Sequence, residues 1–114
     1  MHAEALRDFV LQLPDVEEGF PFGETVLVFK TAGKIFLLLS LDSTPMQYNL
    51  KCDPDRAIEL REQYPESILP GYHMNKKHWN TIIPGNGLPV ALQKEMIRDS
   101  YELVRPKQKR NSKE

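Results

Sequence analysis

The sequence predicts an α+β fold: an antiparallel β-sheet of about five strands with helices packed mainly on one face. Three observations carry this expectation. Segments with helical periodicity stand at both ends of the chain. Short β-branched and aromatic runs separated by turn residues lie between them, and one of these alternates cleanly between apolar and polar side chains. Hairpins flanked by helices suit a sheet covered on one side, giving the expected order α-β-β-β-α-β-β-α.

Leu6, Phe9, Val10 and Leu13 recur at i, i+3, i+4 and i+7, so residues 3–13 are expected to form a helix ended by Pro14. Residues 16–24 are expected to be a loop, held to the body by Phe20 and Phe22. Two strand-length runs follow, TVLVFK at 25–30 and KIFLLLS at 34–40, joined by Thr31-Ala32-Gly33 with Gly33 free to adopt positive φ. The second run is apolar almost throughout, which predicts a central strand covered on both faces. In MQYNLK (46–51), Met46, Tyr48 and Leu50 point inward, while Gln47, Asn49 and Lys51 point to water.

Asp53-Pro54 reads as a helix start, a capping side chain followed by proline at the first helical position. Ala57, Leu60, Arg61 and Tyr64 continue one face of that helix, and Pro65 stops it. YHMNKKHWNTII is expected to be a second hairpin with Lys76 and Lys77 at its tip. The last helix is expected from about Pro89 to Val104, with Leu92, Met96, Ile97, Tyr101 and Val104 inward.

A chain of 114 residues with 40% hydrophobic and 27% charged residues is of single-domain size and can build a core without disulfides. One domain is assigned to residues 1–104 and a basic, flexible tail to 105–114. The formal net charge is -1, but residues 1–104 hold 10 basic against 15 acidic side chains and residues 105–114 hold 5 against 1. Cys52 is the single cysteine, which excludes an intramolecular disulfide and a multi-cysteine zinc site. The N-terminus lacks the basic-then-apolar pattern of a secretory signal, and no apolar run reaches the roughly 20 residues of a membrane span. A cytoplasmic monomer with no membrane association is expected.

The segment most able to carry chemistry is Tyr72 to Asn80, which holds two of the three histidines, the one tryptophan, two lysines and two asparagines. With Lys76 and Lys77 as a two-residue turn, Asn75 faces His78, Met74 faces Trp79 and His73 faces Asn80. Tyr72, Met74, Trp79 and Thr81 then form a core plug. His73, Asn75, His78 and Asn80 form a polar patch that Gln47, Asn49 and Lys51 extend. Lysines at a hairpin tip suit backbone phosphates, and amide and imidazole groups suit base edges. An ordinary hydrophilic sheet face with lysines guarding an exposed hairpin explains the same residues.

His73 and His78 share a side but lack a carboxylate, since no Asp or Glu lies between Glu66 and Glu95, so no metal is expected. Cys52 precedes a helix start that could lower its pKa, with His73 as a conceivable base, yet a small buried residue is the simpler assignment. There is no glycine-rich phosphate loop, no GxSxG and no HExxH. An enzyme and a cofactor are therefore not expected.

VFKTAGKIFLLL, NLKCDP, PGYHMNKKHWNTI and SYELV, in this order and spacing, resemble the bacterial MmcQ/YjbR family from about Leu6 to Val104. The resemblance implies a compact α+β fold similar to frataxin-like and secretion-chaperone-like folds. It also implies DNA binding through a double-wing motif. The wings would be the hairpins around Ala32-Gly33-Lys34 and Lys76-Lys77. The residues carried over are Lys34, Asn49, Lys51, His73, Asn75, Lys76, Lys77, His78, Trp79 and Asn80. The expected partner is DNA, bound weakly and salt-dependently, with tail residues Lys107, Lys109 and Arg110 assisting. A protein or small-ligand partner is the alternative.

Overall fold

The computed structural model describes residues 1–71 and 74–106. The elements are α1 (Ala3–Leu11), β1 (Val16–Gly19), β2 (Val26–Thr31), β3 (Lys34–Ser40), β4 (Gln47–Lys51), α2 (Pro54–Gln63), β5 (Ile68–Pro70), β6 (Trp79–Ile82), a 3-10 turn at Pro84–Asn86 and α3 (Val90–Val104). The strands form one six-stranded sheet in the order β1-β2-β3-β4-β6-β5, antiparallel at every junction. The expected class holds, with one more strand than the sequence suggested. That strand, β1, lies in the expected loop and pairs Val16 with Thr31 and Gly19 with Val28 at the sheet edge. Its Glu17-Glu18 pair hides it from any apolar pattern.

The helix ends follow local chemistry. Asp53 accepts a hydrogen bond from the Arg56 N–H at 3.2 Å and Pro54 opens α2, as the sequence predicts. His2 plays the same capping part for α1, accepting from the Ala5 N–H through Nδ1 at 3.2 Å. Helix α1 ends two residues earlier than expected, at Leu11, though Leu13 still packs against the core. The β2–β3 turn is tighter than Gly33 alone requires: Ala32 (φ 54) and Gly33 (φ 75) are both left-handed, the pattern of a two-residue primed turn.

All three helices lie on one face of the sheet. Leu27, Phe29, Leu37, Leu39, Tyr48, Leu50, Ile68 and Ile82 meet Leu6, Val10, Leu60, Met96, Ile97, Tyr101 and Val104 in one core. The Tyr48 hydroxyl donates to Gln93 Oε1 at 3.0 Å, and Gln93 Nε2 donates to the Leu88 carbonyl at 3.0 Å, so two buried polar side chains of the core satisfy each other. The opposite face carries no helix among the described residues. This departs from the expectation that β3 is covered on both sides: Ile35 and Leu38 are only half-buried there, while Val28, paired with Leu38, is buried without a helix above it. Phe20 and Phe22, expected to pin the β1–β2 connection, are instead 50% and 65% exposed.

The excess of apolar residues in β3 has a local cause. Phe29 pairs with Leu37 and Lys30 with Ile35, which leaves Phe36 as an inserted residue, a β-bulge. The bulge turns Phe36 toward the helices, where its ring meets Tyr101 edge-on at 5.5 Å. The Phe36 carbonyl accepts from Ser100 Oγ at 2.6 Å, and the same Oγ accepts the Lys51 N–H at 2.9 Å. One buried hydroxyl thus ties the bulge, the end of β4 and α3 together. Ser100→Ala is expected to lower unfolding stability by about 1–3 kcal/mol, the usual cost of stranding buried polar groups, as measured by urea denaturation.

Candidate functional site

The strand order brings both expected wings to one end of the sheet. The β2–β3 turn, the end of β4 and the β5–β6 connection all lie there, because β2 and β4 run toward that end and β3 and β6 run away from it. At about 4.8 Å per strand, the two wing tips are separated by three strand spacings, about 14 Å. Lys34, Asn75, Lys76 and Lys77 are exposed, and Lys51 is half-buried at the end of β4.

The second wing is not the two-residue hairpin predicted from sequence. Pro70 pairs with Asn80, Leu69 with Thr81 and Ile68 with Ile82, so the connection runs from 71 to 78 and the Asn75–His78 and Met74–Trp79 strand pairs do not form. Within it, the Asn75 carbonyl accepts from the N–H groups of His78 (3.1 Å) and Trp79 (3.0 Å), and Asn75 Oδ1 accepts from the Lys77 N–H at 2.9 Å. The Cys52 N–H donates to the His78 carbonyl at 2.7 Å, docking the turn on the end of β4. His73 and the tail residues Lys107, Lys109 and Arg110 lie outside the described residues.

Arg61 holds this turn from the helix side. Its Nε donates to Asn80 Oδ1 at 2.7 Å, and its terminal nitrogen donates to the carbonyls of Lys76 and Trp79, the latter at 3.3 Å. The sequence put Arg61 on the inward face of α2 without a task. A guanidinium among Ala57, Leu60 and Tyr64 was the signal that a carbonyl-rich turn must approach that helix, since buried cations need acceptors.

The altered pairing also swaps the faces. Asn80 was expected in the polar patch on the open side. It lies opposite Leu50 on the helix-covered side and is 1% exposed. Among the described residues Asn80 Nδ2 has no hydrogen-bond partner, and it borders a void of about 10 Å³ among Leu50, Cys52, Leu60 and Met96, room for one water at most. Trp79, expected in the core, stands on the open side opposite Lys51 and is partly exposed. Beside this pair, Thr81 faces Asn49 and donates to its Oδ1 at 2.5 Å. The row on the open side is therefore Gln47, Asn49, Lys51 and Trp79, each half-buried, with Thr81 only 3% exposed, while His78 is half-buried in the turn. A groove of about 360 Å³ adjoins it, lined by Gln47, Leu69, Pro70, Lys76, Thr81 and Ile83.

Charge is unevenly distributed, with half of the sixteen acidic side chains on the helices. The helices hold Glu4, Asp8, Asp55, Glu59, Glu62, Glu95, Asp99 and Glu102, whereas residues 67–94 contain no carboxylate. On the open side the one acidic strand residue, Glu17, is paired with Lys30. On the covered side Arg7 clamps Glu18 at 2.5 Å and draws its carboxyl below the ordinary range.

Among the described residues, no three of His, Cys, Asp and Glu gather as a metal-binding group, and no helix is long and apolar enough to cross a membrane. The helix start after Cys52 does not activate its thiol. Burial, then the adjacent Asp53 carboxylate, push it up to about 11 against the weaker pull of Arg56. Such a thiol is roughly one part in a thousand thiolate at pH 8. Iodoacetamide labelling of the folded protein, followed by mass spectrometry, is expected to be far slower than that of the guanidinium-unfolded chain and to keep rising beyond pH 10.

Comparison with known proteins places this architecture. A family model described as YjbR matches residues 11–103. The Escherichia coli O157:H7 protein YbdF is 47% identical over 102 residues, covering 89% of this chain and 82% of the relative. The protein YjbR of Escherichia coli K12 is 24% identical over 102 residues, covering 90% and 86%. The crystal structure of a Deinococcus radiodurans protein with domain DUF419 superposes with a TM-score of 0.85 at 39% identity, covering 96% of this chain and 81% of that one. A Pseudomonas syringae protein shares the fold at 24% identity with a TM-score of 0.75, covering 92% and 100%. With the family model spanning the whole sheet, α2 and nearly all of α3, the chain belongs to the YjbR family.

Proposed function

We propose that the chain is a non-enzymatic nucleic-acid-binding module that engages DNA with the wing end and open face of its sheet. The observation that carries this reading is the distribution of charge. Lys34, Lys51, Lys76 and Lys77 gather at one end of the sheet, the last two within residues 67–94, which hold no carboxylate, while half of the sixteen acidic side chains sit on the helices behind the sheet. A body with a net acidic balance can still attract phosphates locally, because screening confines each charge to about 10 Å at 0.1 M salt. Asn49 and Asn75 add polar contacts that position without demanding one sequence. His78, half-buried in the turn, shapes that surface.

Binding of this kind is weak and strongly salt-dependent. In a fluorescence-anisotropy salt titration, Lys76→Ala/Lys77→Ala is expected to lower the slope of log K against log salt by up to about 2. Absence of binding at low salt in the unaltered protein would overturn the reading.

A second reading, a protein-binding module, is favoured by one observation. Phe20, Phe22 and Leu41 are 50%, 65% and 47% exposed at the opposite end of the sheet. Large apolar groups grouped on a surface mark contact sites. A stoichiometric protein partner that survives nuclease treatment and is lost with Phe20→Ser/Phe22→Ser would favour this reading over the first.

A further inference from the structure

From the placement of Trp79 we infer that the nucleic acid taken by the open face is single-stranded, with an unpaired base stacked on the indole. This rests on the nucleic-acid reading above and sharpens it. Trp79 is the one tryptophan of the chain, and it stands on the open side of β6 rather than in the core. Its cross-strand neighbour on β4 is Lys51, a cation suited to the phosphate that accompanies a stacked base. On its other flank is Gly71, whose N–H donates to the Trp79 carbonyl at 2.8 Å. A Cβ at Gly71 would come within 2.7 Å of the Trp79 Cβ, so no side chain can stand there. Among the described residues the indole is thus bordered by a cation on one strand and by the buried Gly71 backbone on the other.

The groove continues the same path. Thr81 lies two residues along β6, about 7 Å from Trp79. With Gln47, Leu69 and Lys76 it lines a space of about 360 Å³, the scale of small-ligand sites, roughly 300–1,000 Å³. Gln47 offers an amide to a base edge, Leu69 and Ile83 an apolar wall, and Lys76 a charge at the rim. A duplex cannot use this arrangement, because its bases are already stacked on both faces. A single strand offers free π-faces and a flexible backbone able to follow a shallow sheet surface.

The sole tryptophan makes the test direct. Intrinsic fluorescence is titrated with a single-stranded oligothymidylate and, separately, with a duplex of equal length at low salt, while anisotropy of labelled DNA reads binding independently. Single-strand binding at least about tenfold tighter than duplex, with quenching by the single strand, is expected. Trp79→Leu is expected to weaken single-strand binding by about 5- to 150-fold with the salt slope unchanged, and Trp79→Phe to retain most of it. The quenching measured on the unaltered protein decides the matter even if Trp79→Leu fails to fold. Duplex and single strand binding equally, with fluorescence unmoved, would overturn the stacking inference and leave the nucleic-acid reading standing. Binding of neither would remove both.

Discussion

Because all three helices pack on one side of the sheet, the parity of a strand position decides whether a side chain becomes interior or surface. Much of the molecule follows from that constraint. Tyr48 and Leu50 enter the core while Gln47, Asn49 and Lys51 stay out. The bulge at Phe36 is the one place where parity is broken within β3, and Ser100 Oγ donates to the Phe36 carbonyl there. On β6 the same constraint is unforgiving: a different pairing of its neighbour changes which of Trp79 and Asn80 meets solvent.

This explains which parts were legible in advance. The β2–β3 turn, the Asp53-Pro54 helix start, the alternation of β4 and the inward row of α3 are all encoded within a few adjacent residues, where propensity and period act directly. The β5–β6 pairing is not local. Pro70-Gly71 looks like a break before a hairpin, yet Pro70 can end β5 because an edge strand tolerates a missing N–H. Adjacent Lys76 and Lys77 look like a tip, yet the turn they occupy is closed by Asn75 and held by Arg61, nineteen positions before Asn80. No sequence period reports such a contact. β1 escaped notice because its four residues include two glutamates, one clamped by Arg7 and one facing Lys30.

Arg61 therefore links the two halves of the molecule's character. It belongs to an acidic helix on the covered side, but its guanidinium reaches through the sheet edge to the carbonyls of the lysine-bearing turn. Arg61 satisfies those carbonyls from the helix side, and the Lys76 and Lys77 side chains remain exposed. The chain can thus be acidic overall while carrying Lys34, Lys51, Lys76 and Lys77 at one end of the sheet. Cys52 belongs to the same junction as structure, its backbone docking the turn and its thiol held in the neutral form.

The two borders of the sheet carry a consequence of their own. At one, β5 is only three residues long and ends in Pro70; at the other, β1 is four residues long and bears two carboxylates. Neither border exposes a long, flat run of peptide groups on which a foreign strand could zip up. Recruitment by ladder extension is thereby discouraged, and whatever meets this protein must read its side chains, not its backbone.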